Sequence, residues 1–426
     1  MKKRKIRKLL VSITAILLLL PYFALTFFLK LVKSDNDLTV SNNVIVKYYV
    51  KYKKWIYNHW KFLPLTGYDG PYIFTRNGYI EEINVFKEKK NKYVFHRQIH
   101  DSIPNQFLCQ VDNEDKDNFY FSLHKETDID SSYYNLPPKV IAISDIEGNF
   151  NGFYSFLLSN KIMGKQYNWT FGDGHLVLLG DFIDRGKNVI PVLWLIYKLE
   201  QEAPKSGGKV HFILGNHEIM YINGELTFVD HKYFAIAQRY ANNRNQEIAY
   251  RKLLKNNVLI DWLITKNLVT VIGSYLFVHG GISPELLDAD WSIDSINDIG
   301  RNKYKYKYNE PLDELIFGIP SPVWYRGMVR SSETVNFAKM TENQMNTILK
   351  RYNVEKFIVG HTPVSDVSYD SNHKVLRIDV IHGKEKFSGK TLGILFENNM
   401  IYKINDLGER FDIRFGRPLL RHEYLN

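Results

Sequence analysis

Gly180-Asp181-Phe182-Ile183-Asp184-Arg185-Gly186 follows directly on His175-Leu176-Val177-Leu178-Leu179. The apolar run reads as a buried strand, and the heptapeptide as the loop at its carboxyl end. The same grammar recurs on either side. Lys139-Val140-Ile141-Ala142-Ile143 leads into Ser144-Asp145-Ile146-Glu147-Gly148-Asn149, and Lys209-Val210-His211-Phe212-Ile213-Leu214 leads into Gly215-Asn216-His217-Glu218. An amphipathic helix is expected from about Asn188 to Glu200, between the second and third strands. Acidic or amide groups thus stand just beyond three successive strand ends, where open α/β sheets hold their ligands.

The second half adds histidines at the same kind of position. Leu268 to Ile272 and Tyr275 to His279 predict a hairpin turning at Gly273-Ser274, and Lys356 to Val359 predicts a strand ending at Gly360-His361. His279-Gly280-Gly281 and Gly360-His361-Thr362 therefore complete a set of five segments. Val375 to Val380, Thr391 to Phe396 and Met400 to Ile404 read as further strands. The fold class expected is α/β, with two packed sheets and flanking helices. Cys109 is the only cysteine, which excludes a disulfide framework and a thiolate metal cage. Any metal must be held by carboxylate, amide and imidazole.

A single strand-end aspartate is ordinarily a cap or turn residue, and Asp181 alone would carry no more than that. Five such segments in one order are a different matter. They resemble the two-metal site of the calcineurin-like metallophosphoesterases, and within them the phosphoprotein phosphatase (Ser/Thr phosphatase-like) branch of bacterial type. That pattern runs GDxHG, GDxxDRG, GNHE and two later histidines. The resemblance implies a four-layer sandwich of two mixed β-sheets between helices, and hydrolysis of a phosphate ester at two divalent ions. It makes Asp181 the bridging carboxylate and Asp145 a ligand of the first ion, with Asn216, His279 and His361 completing the second. Manganese is the expected metal, with iron, zinc or magnesium as alternatives. A water or hydroxide shared by the ions would attack phosphorus in line.

The resemblance also gives His217 the role of general acid, with Asp184 orienting and charging it. Arg185 would clamp phosphate oxygens in two-point fashion. Arg326, in Val323-Trp324-Tyr325-Arg326-Gly327, is the expected second clamp, with Tyr325 nearby as a substrate-binding residue. His175, His211, His231 and His373 lack comparable context and read as surface or satisfied core residues. Glu218 reads as a helix first-turn residue.

Glu147 departs from the pattern, standing where the family places a metal-binding histidine. Three readings follow. It is itself a ligand, giving the first ion a more anionic, harder cage suited to manganese or magnesium. It points away and leaves one metal site weak. Or the site is dead and the domain is a phosphate-binding membrane scaffold.

The chain has 426 residues, room for one α/β domain of roughly 250 residues and accessory segments. Its net charge of +10 suggests nucleic acid at first sight. Lys2, Lys3, Arg4, Lys5, Arg7 and Lys8 supply six of those charges, so the basicity belongs to topology and no nucleic-acid partner is expected. Residues 1–8 are then a cytoplasmic tail. Leu9 to Leu29 is an uncharged run of 21 residues, long enough to cross a hydrocarbon core of ~30 Å. A cleaved secretory signal is the rival, but Phe23-Ala24-Leu25-Thr26-Phe27-Phe28 offers no small-x-small exit, so 9–29 is expected to be a retained transmembrane anchor. The positive-inside rule leaves the N-terminus cytoplasmic and the bulk of the chain outside, in the periplasm of a double-membrane bacterium.

Residues 30–66 form an amphipathic linker. Tyr48, Tyr49, Tyr52, Trp55, Ile56 and Trp60 recur at helical spacing beside Lys47, Lys51 and Lys54. Such a face suits either the membrane surface or the catalytic domain. Residues 67–137 read as a β-meander without chemistry, bounded by Pro137-Pro138, and 138–426 as the catalytic domain. The expectation is a membrane-anchored phosphomonoesterase, with phosphoproteins as the implied substrate. Nucleotides, dinucleoside polyphosphates and other small molecules are the alternatives. Substrate choice is assigned to 67–134, 225–266 and 292–322.

Overall fold

The strand-forming runs pair into four sheets in the computed structural model, which describes residues 62–89, 92–124, 129–305, 313–331 and 337–415. The chain divides into two units, Met1–Trp60 with Leu420–Asn426, and Lys61–Leu419. The basic tail, the 9–29 anchor and residues 30–61 of the linker lie outside the described residues. Among the described residues no helix is long and apolar enough to cross a membrane.

The segment before Pro137 forms an antiparallel meander of β1 (Asp69–Arg76), β2 (Tyr79–Lys89) and β3 (Lys92–His100), then a ribbon of β4 (Phe107–Cys109) and β5 (Phe119–Phe121). The Asn77-Gly78 turn, with Gly78 at φ 89°, supplies the left-handed residue that tight hairpins need. β6 (Tyr133–Tyr134) lies upstream of Pro137 yet pairs parallel with β10 (Val269–Ile272) of a main sheet. Asn267 donates to the Ser131 carbonyl at 2.9 Å and Asn297 to the Ser132 hydroxyl at 2.9 Å. These amides stitch the chain to the sheet before the prolines, a cross-chain contact that proline spacing does not encode.

β7 (Lys139–Ile143), β8 (His175–Leu179) and β9 (Lys209–Ile213) run parallel, with Val140 opposite His175 and Leu179 opposite Ile213. α1 (Phe150–Ser159) and α2 (Val189–Glu202) make the crossovers that parallel strands require. β10 and β11 (Tyr275–Val278) form the expected hairpin, and β12 (Lys356–Val359) lies parallel to β11 with Val278 opposite Val359. β13 (Ser368–Asp370), β14 (Val375–Arg377), β15 (Leu392–Glu397), β16 (Met400–Asn405), β17 (Arg410–Asp412) and β18 (Arg414–Phe415) complete the strands. The two large sheets run β17-β16-β15-β7-β8-β9 and β18-β13-β14-β12-β11-β10-β6. Phe396 of β15 meets Tyr275 and Phe277 of β11 at ring distances of 4.7 and 6.0 Å, so the sheets share a core. Both are mixed, as the α/β expectation has it.

Buried contacts bind the strands before Pro137 to the catalytic half. Trp194 of α2 is fully buried, stacks on Phe121 at 4.2 Å and donates its indole N–H to the Pro71 carbonyl at 2.7 Å. Asp69 of β1 pairs at 3.2 Å with Lys232, both side chains being withdrawn from solvent. The Lys232 ammonium also donates to the Lys187 carbonyl at 2.7 Å, and Tyr72 donates to the other Asp69 oxygen. A buried charge is tolerable only when paired and hydrogen-bonded in this way. The meander thereby reaches the loop that follows Gly186.

Candidate active site

The parallel pairings deliver the loops after β7, β8 and β9 to one edge, and those after β11 and β12 to the matching edge of the other sheet. Each loop then turns back over its strand. Asp145, Glu147, Asp181, Asp184, Arg185 and His361 all hold left-handed φ between 50 and 70°. Non-glycine residues rarely adopt this conformation, and it clusters where surrounding structure overdetermines the backbone for function. Glycines permit the loops to meet. A Cβ on Gly215 would lie 2.3 Å from Asp181 Oδ1, and one on Gly180 would lie 2.5 Å from His279 Nδ1.

Glu218 holds this crossing together. It lies at the third position of α3 (Asn216–Ile222), fully buried, and closes a capping box by accepting from the Gly215 N–H at 2.8 Å. The same carboxylate accepts from the amides of Asp181 at 2.8 Å and Phe182 at 2.9 Å. Burial pushes its pKa up to about 7, and these amides oppose the shift. One side chain thus ties the loop after β8 to the loop after β9.

Among the described residues, Asp181, His279 and His361 present ligand atoms all within 4.8 Å of one another, all buried. His279 donates Nδ1–H to the Leu179 carbonyl at 2.7 Å, which turns Nε2 toward Asp181 Oδ2 and Asn216 Oδ1, each at 3.2 Å. His361 donates Nε2–H to the Trp324 carbonyl at 3.1 Å, leaving Nδ1 with the lone pair. Such outer hydrogen bonds are how metal-ligating imidazoles are oriented. Asp145 accepts from the His361 amide at 3.2 Å.

Electrostatics point the same way. Burial raises Asp145 to about 6, against the pull of His279. Burial also disfavours the Asp181 carboxylate, but His279 and His217 outweigh it and hold the group down to about 2. His279 rises to about 10, because Asp181 overcomes the burial that would lower it. His361 is held well below the ordinary range by burial and then by the Arg326 charge. Buried carboxylates thus crowd around one imidazolium. Oxygen and imidazole donors that call for positive charge fit divalent ions, whose binding would displace that proton.

Beside the cluster, His217 shares its Nδ1 proton with Asp184 at 2.8 Å. Arg185 donates to His217 Nε2 at 3.2 Å, forms an ion pair with Glu147, and lies over the Phe228 ring at 5.2 Å. Burial lowers the proton affinity of His217, but Asp181 and Asp184 more than restore it. Asp184 is raised by burial, against its bond to His217. The structure brings all the anticipated residues to one region, with two at its margin. Arg326 donates to the His361 carbonyl at 2.5 Å. Tyr325 is buried, and a side-chain carbon on Gly281 would lie 3.1 Å from its ring.

Three contributions were not foreseen. Glu218 is the expected first-turn residue, and what its type alone does not announce is the tie to the amides of Asp181 and Phe182. His382 donates to the Ser144 carbonyl at 2.7 Å and accepts from the Leu392 amide at 3.3 Å, fixing the residue before Asp145. Phe228 reaches the site from a loop, and neither residue carries a local sequence signal.

The family description "Calcineurin-like phosphoesterase" matches residues 138–365. The Shewanella-like protein phosphatase 1 of Plasmodium berghei is 30% identical over 267 residues, covering 58% of this chain and 70% of that protein. The Shewanella-like protein phosphatase 2 of Arabidopsis thaliana is 25% identical over 295 residues, 60% of this chain and 74% of that one. The crystal structure of a cold-active protein-tyrosine phosphatase from a psychrophilic Shewanella species superposes with a TM-score of 0.68 at 31% identity. That match covers 81% of this chain and 99% of that one.

Glu218→Ala would strand three buried amides, each costing about 1–3 kcal/mol. Urea unfolding should report a loss of at least about 3 kcal/mol, with Glu218→Gln falling between the two. A loss below about 1 kcal/mol for the alanine variant would remove Glu218 from its place as the clamp.

Proposed function

The chain belongs to the calcineurin-like phosphoesterase family, in its phosphoprotein phosphatase branch, and hydrolyses phosphate esters; from that premise we propose a membrane-anchored, two-metal phosphomonoesterase acting on phosphoproteins. The buried Asp181, His279 and His361 cluster beside the Asp184–His217 pair carries this reading. Divalent ions, manganese first among them, would be held by Asp145, Asp181, Asn216, His279 and His361, supplying charge neutralisation and an activated water. The relatives' names, protein phosphatase and protein-tyrosine phosphatase, support phosphoproteins as the substrate class.

The remaining roles belong to the chain's own side chains. Arg185 grips the phosphoryl oxygens through its guanidinium fork, exchanging the Glu147 carboxylate for the substrate's charge. That exchange also lifts the guanidinium from His217 Nε2. The imidazole can then hold a proton at Nε2 toward the leaving oxygen, while Asp184 keeps Nδ1–H and supports the charge. Arg326 is the second clamp, with Tyr325 beside it in sequence as a substrate-binding residue. Glu147 acts as the counter-charge of Arg185, in keeping with the reading in which it points away from the first ion. The ion pair between the two supports this assignment.

The basic run before Leu9 and the apolar stretch to Leu29 support an anchor with a cytoplasmic N-terminus. The catalytic domain then works outside the cytoplasm, in the periplasm if the cell has two membranes.

On an aryl phosphate, His217→Asn should lower kcat about 10²–10⁴-fold with metal content intact, whereas Asp181→Asn should lose both activity and metal. Equal metal loss in the two variants would remove the general-acid assignment. Glu147→Ala should keep the wild-type metal content and lower KM, and loss of an ion would return Glu147 to the ligand set. Topology is read separately. Phosphatase-type reporters fused after residue 40 should be active only when exported, and activity confined to the cytoplasm would overturn the orientation.

A further inference from the structure

Phe228 lies in the loop between α3 and α4 (His231–Ala241), half-buried, with neighbours that behave differently from it. Leu226 and Val229 pack into the hydrophobic core, whereas the Phe228 ring meets the polar side chains of the site. Its centroid is 4.9 Å from that of His217, tilted by 52°, and 5.2 Å from the guanidinium carbon of Arg185. Its carbonyl accepts from the Arg185 amide at 3.0 Å, which fixes the loop to the residue that would hold phosphate. An aromatic side chain outside the core, set against both the phosphate clamp and the proton donor, calls for an explanation beyond packing.

We propose that Phe228 is the specificity-determining wall of the leaving-group pocket, and that it favours aryl phosphomonoesters of the phosphotyrosine class over alkyl ones. The proposal rests on the phosphomonoesterase reading of the site. Arg185 fixes the phosphoryl group, and the leaving oxygen must come within about 2.6–3.2 Å of His217 Nε2 to receive its proton. The first atoms beyond that oxygen are therefore delivered next to the Phe228 ring. In a tyrosine ester those atoms are a benzene ring, and aromatic pairs interact favourably at centroid distances of about 4.5–7 Å. In a serine ester they are one methylene, which offers only a few dispersion contacts. Phe228 has a second effect that does not discriminate. Its ring also lies against the guanidinium at 5.2 Å, so removing it weakens phosphate binding for every substrate alike.

The two effects separate in one experiment on the wild-type enzyme, Phe228→Leu and Phe228→Tyr. Values of kcat/KM are measured on a phosphotyrosine peptide and a phosphoserine peptide of identical flanking sequence, with inorganic phosphate as the competitive inhibitor. Wild type should favour phosphotyrosine. Phe228→Leu should reduce the tyrosine-to-serine ratio about two- to tenfold, and Phe228→Tyr, which keeps the ring, should restore it. The phosphate inhibition constant reports the shared effect on Arg185. A ratio unmoved in Phe228→Leu, with both rates lowered in step with weaker phosphate inhibition, would overturn the proposal and leave Phe228 as a support for Arg185. Wild-type inactivity on both peptides and on an aryl phosphate would instead overturn the phosphomonoesterase reading itself.

Discussion

The site depends on one carboxylate that performs no chemistry. Glu218 accepts from the amides of Asp181, Phe182 and Gly215, and so fixes two loops that leave separate strands. With the Glu147 amide, which donates to the Asp181 carbonyl at 2.9 Å, that tie holds Asp181 in a left-handed conformation against its ordinary preference. The Leu179 carbonyl makes the complementary tie by accepting from His279, which brings the second sheet to the first. Candidate metal ligands drawn from both sheets meet because these backbone groups are satisfied from the neighbouring loop. The same frame orders His217, the proposed acid. Asp181 Oδ1 accepts from the His217 amide at 3.0 Å, so the bridge candidate and the proton donor share one frame.

Charge explains why the frame needs divalent ions. Asp145, Asp181 and Asp184 are all buried, and desolvation opposes each of their ionised forms. Asp379, also buried beside them, is pushed well above the usual carboxylate range by burial and then by Asp145. The imidazoles of His279 and His217, both raised by these carboxylates, are a small counter-charge for such a set. Glu147 belongs to a different balance. Its carboxylate pairs with Arg185, both groups being partly exposed, so in the proposed mechanism a substrate phosphate would have to displace it from that guanidinium. The position where the family pattern has a histidine thus holds a carboxylate paired with Arg185.

Much of this was legible in the sequence. Parallel strands, their ends and the order of the ligand residues follow from apolar runs that stop at Asp145, Asp181 and Asn216, and family membership reinforces them. What the sequence left dark was contact between distant segments. Tyr133 and Tyr134 pair with Val271 and Ile272 of a main sheet, and amides from Asn267 and Asn297 hold the adjacent Ser131 and Ser132, which no local pattern announces. His382 reaches the Ser144 carbonyl across more than two hundred residues. Phe228 sits in a loop whose apolar residues look alike until two turn inward and one does not. Glu147 shows the converse case, a residue whose oddity was plain but whose partner was not.

The central claim is that Asp181 joins the two halves of a metal site built on crossed strand ends. Anomalous diffraction from crystals of the full catalytic unit grown with manganese tests it most directly. The account predicts peaks with Asp181 bonded between them at about 2.0–2.2 Å, and with His279 and His361 on one of those peaks. An active crystalline enzyme with no anomalous peak at Asp181, or with manganese bound only elsewhere, would contradict it.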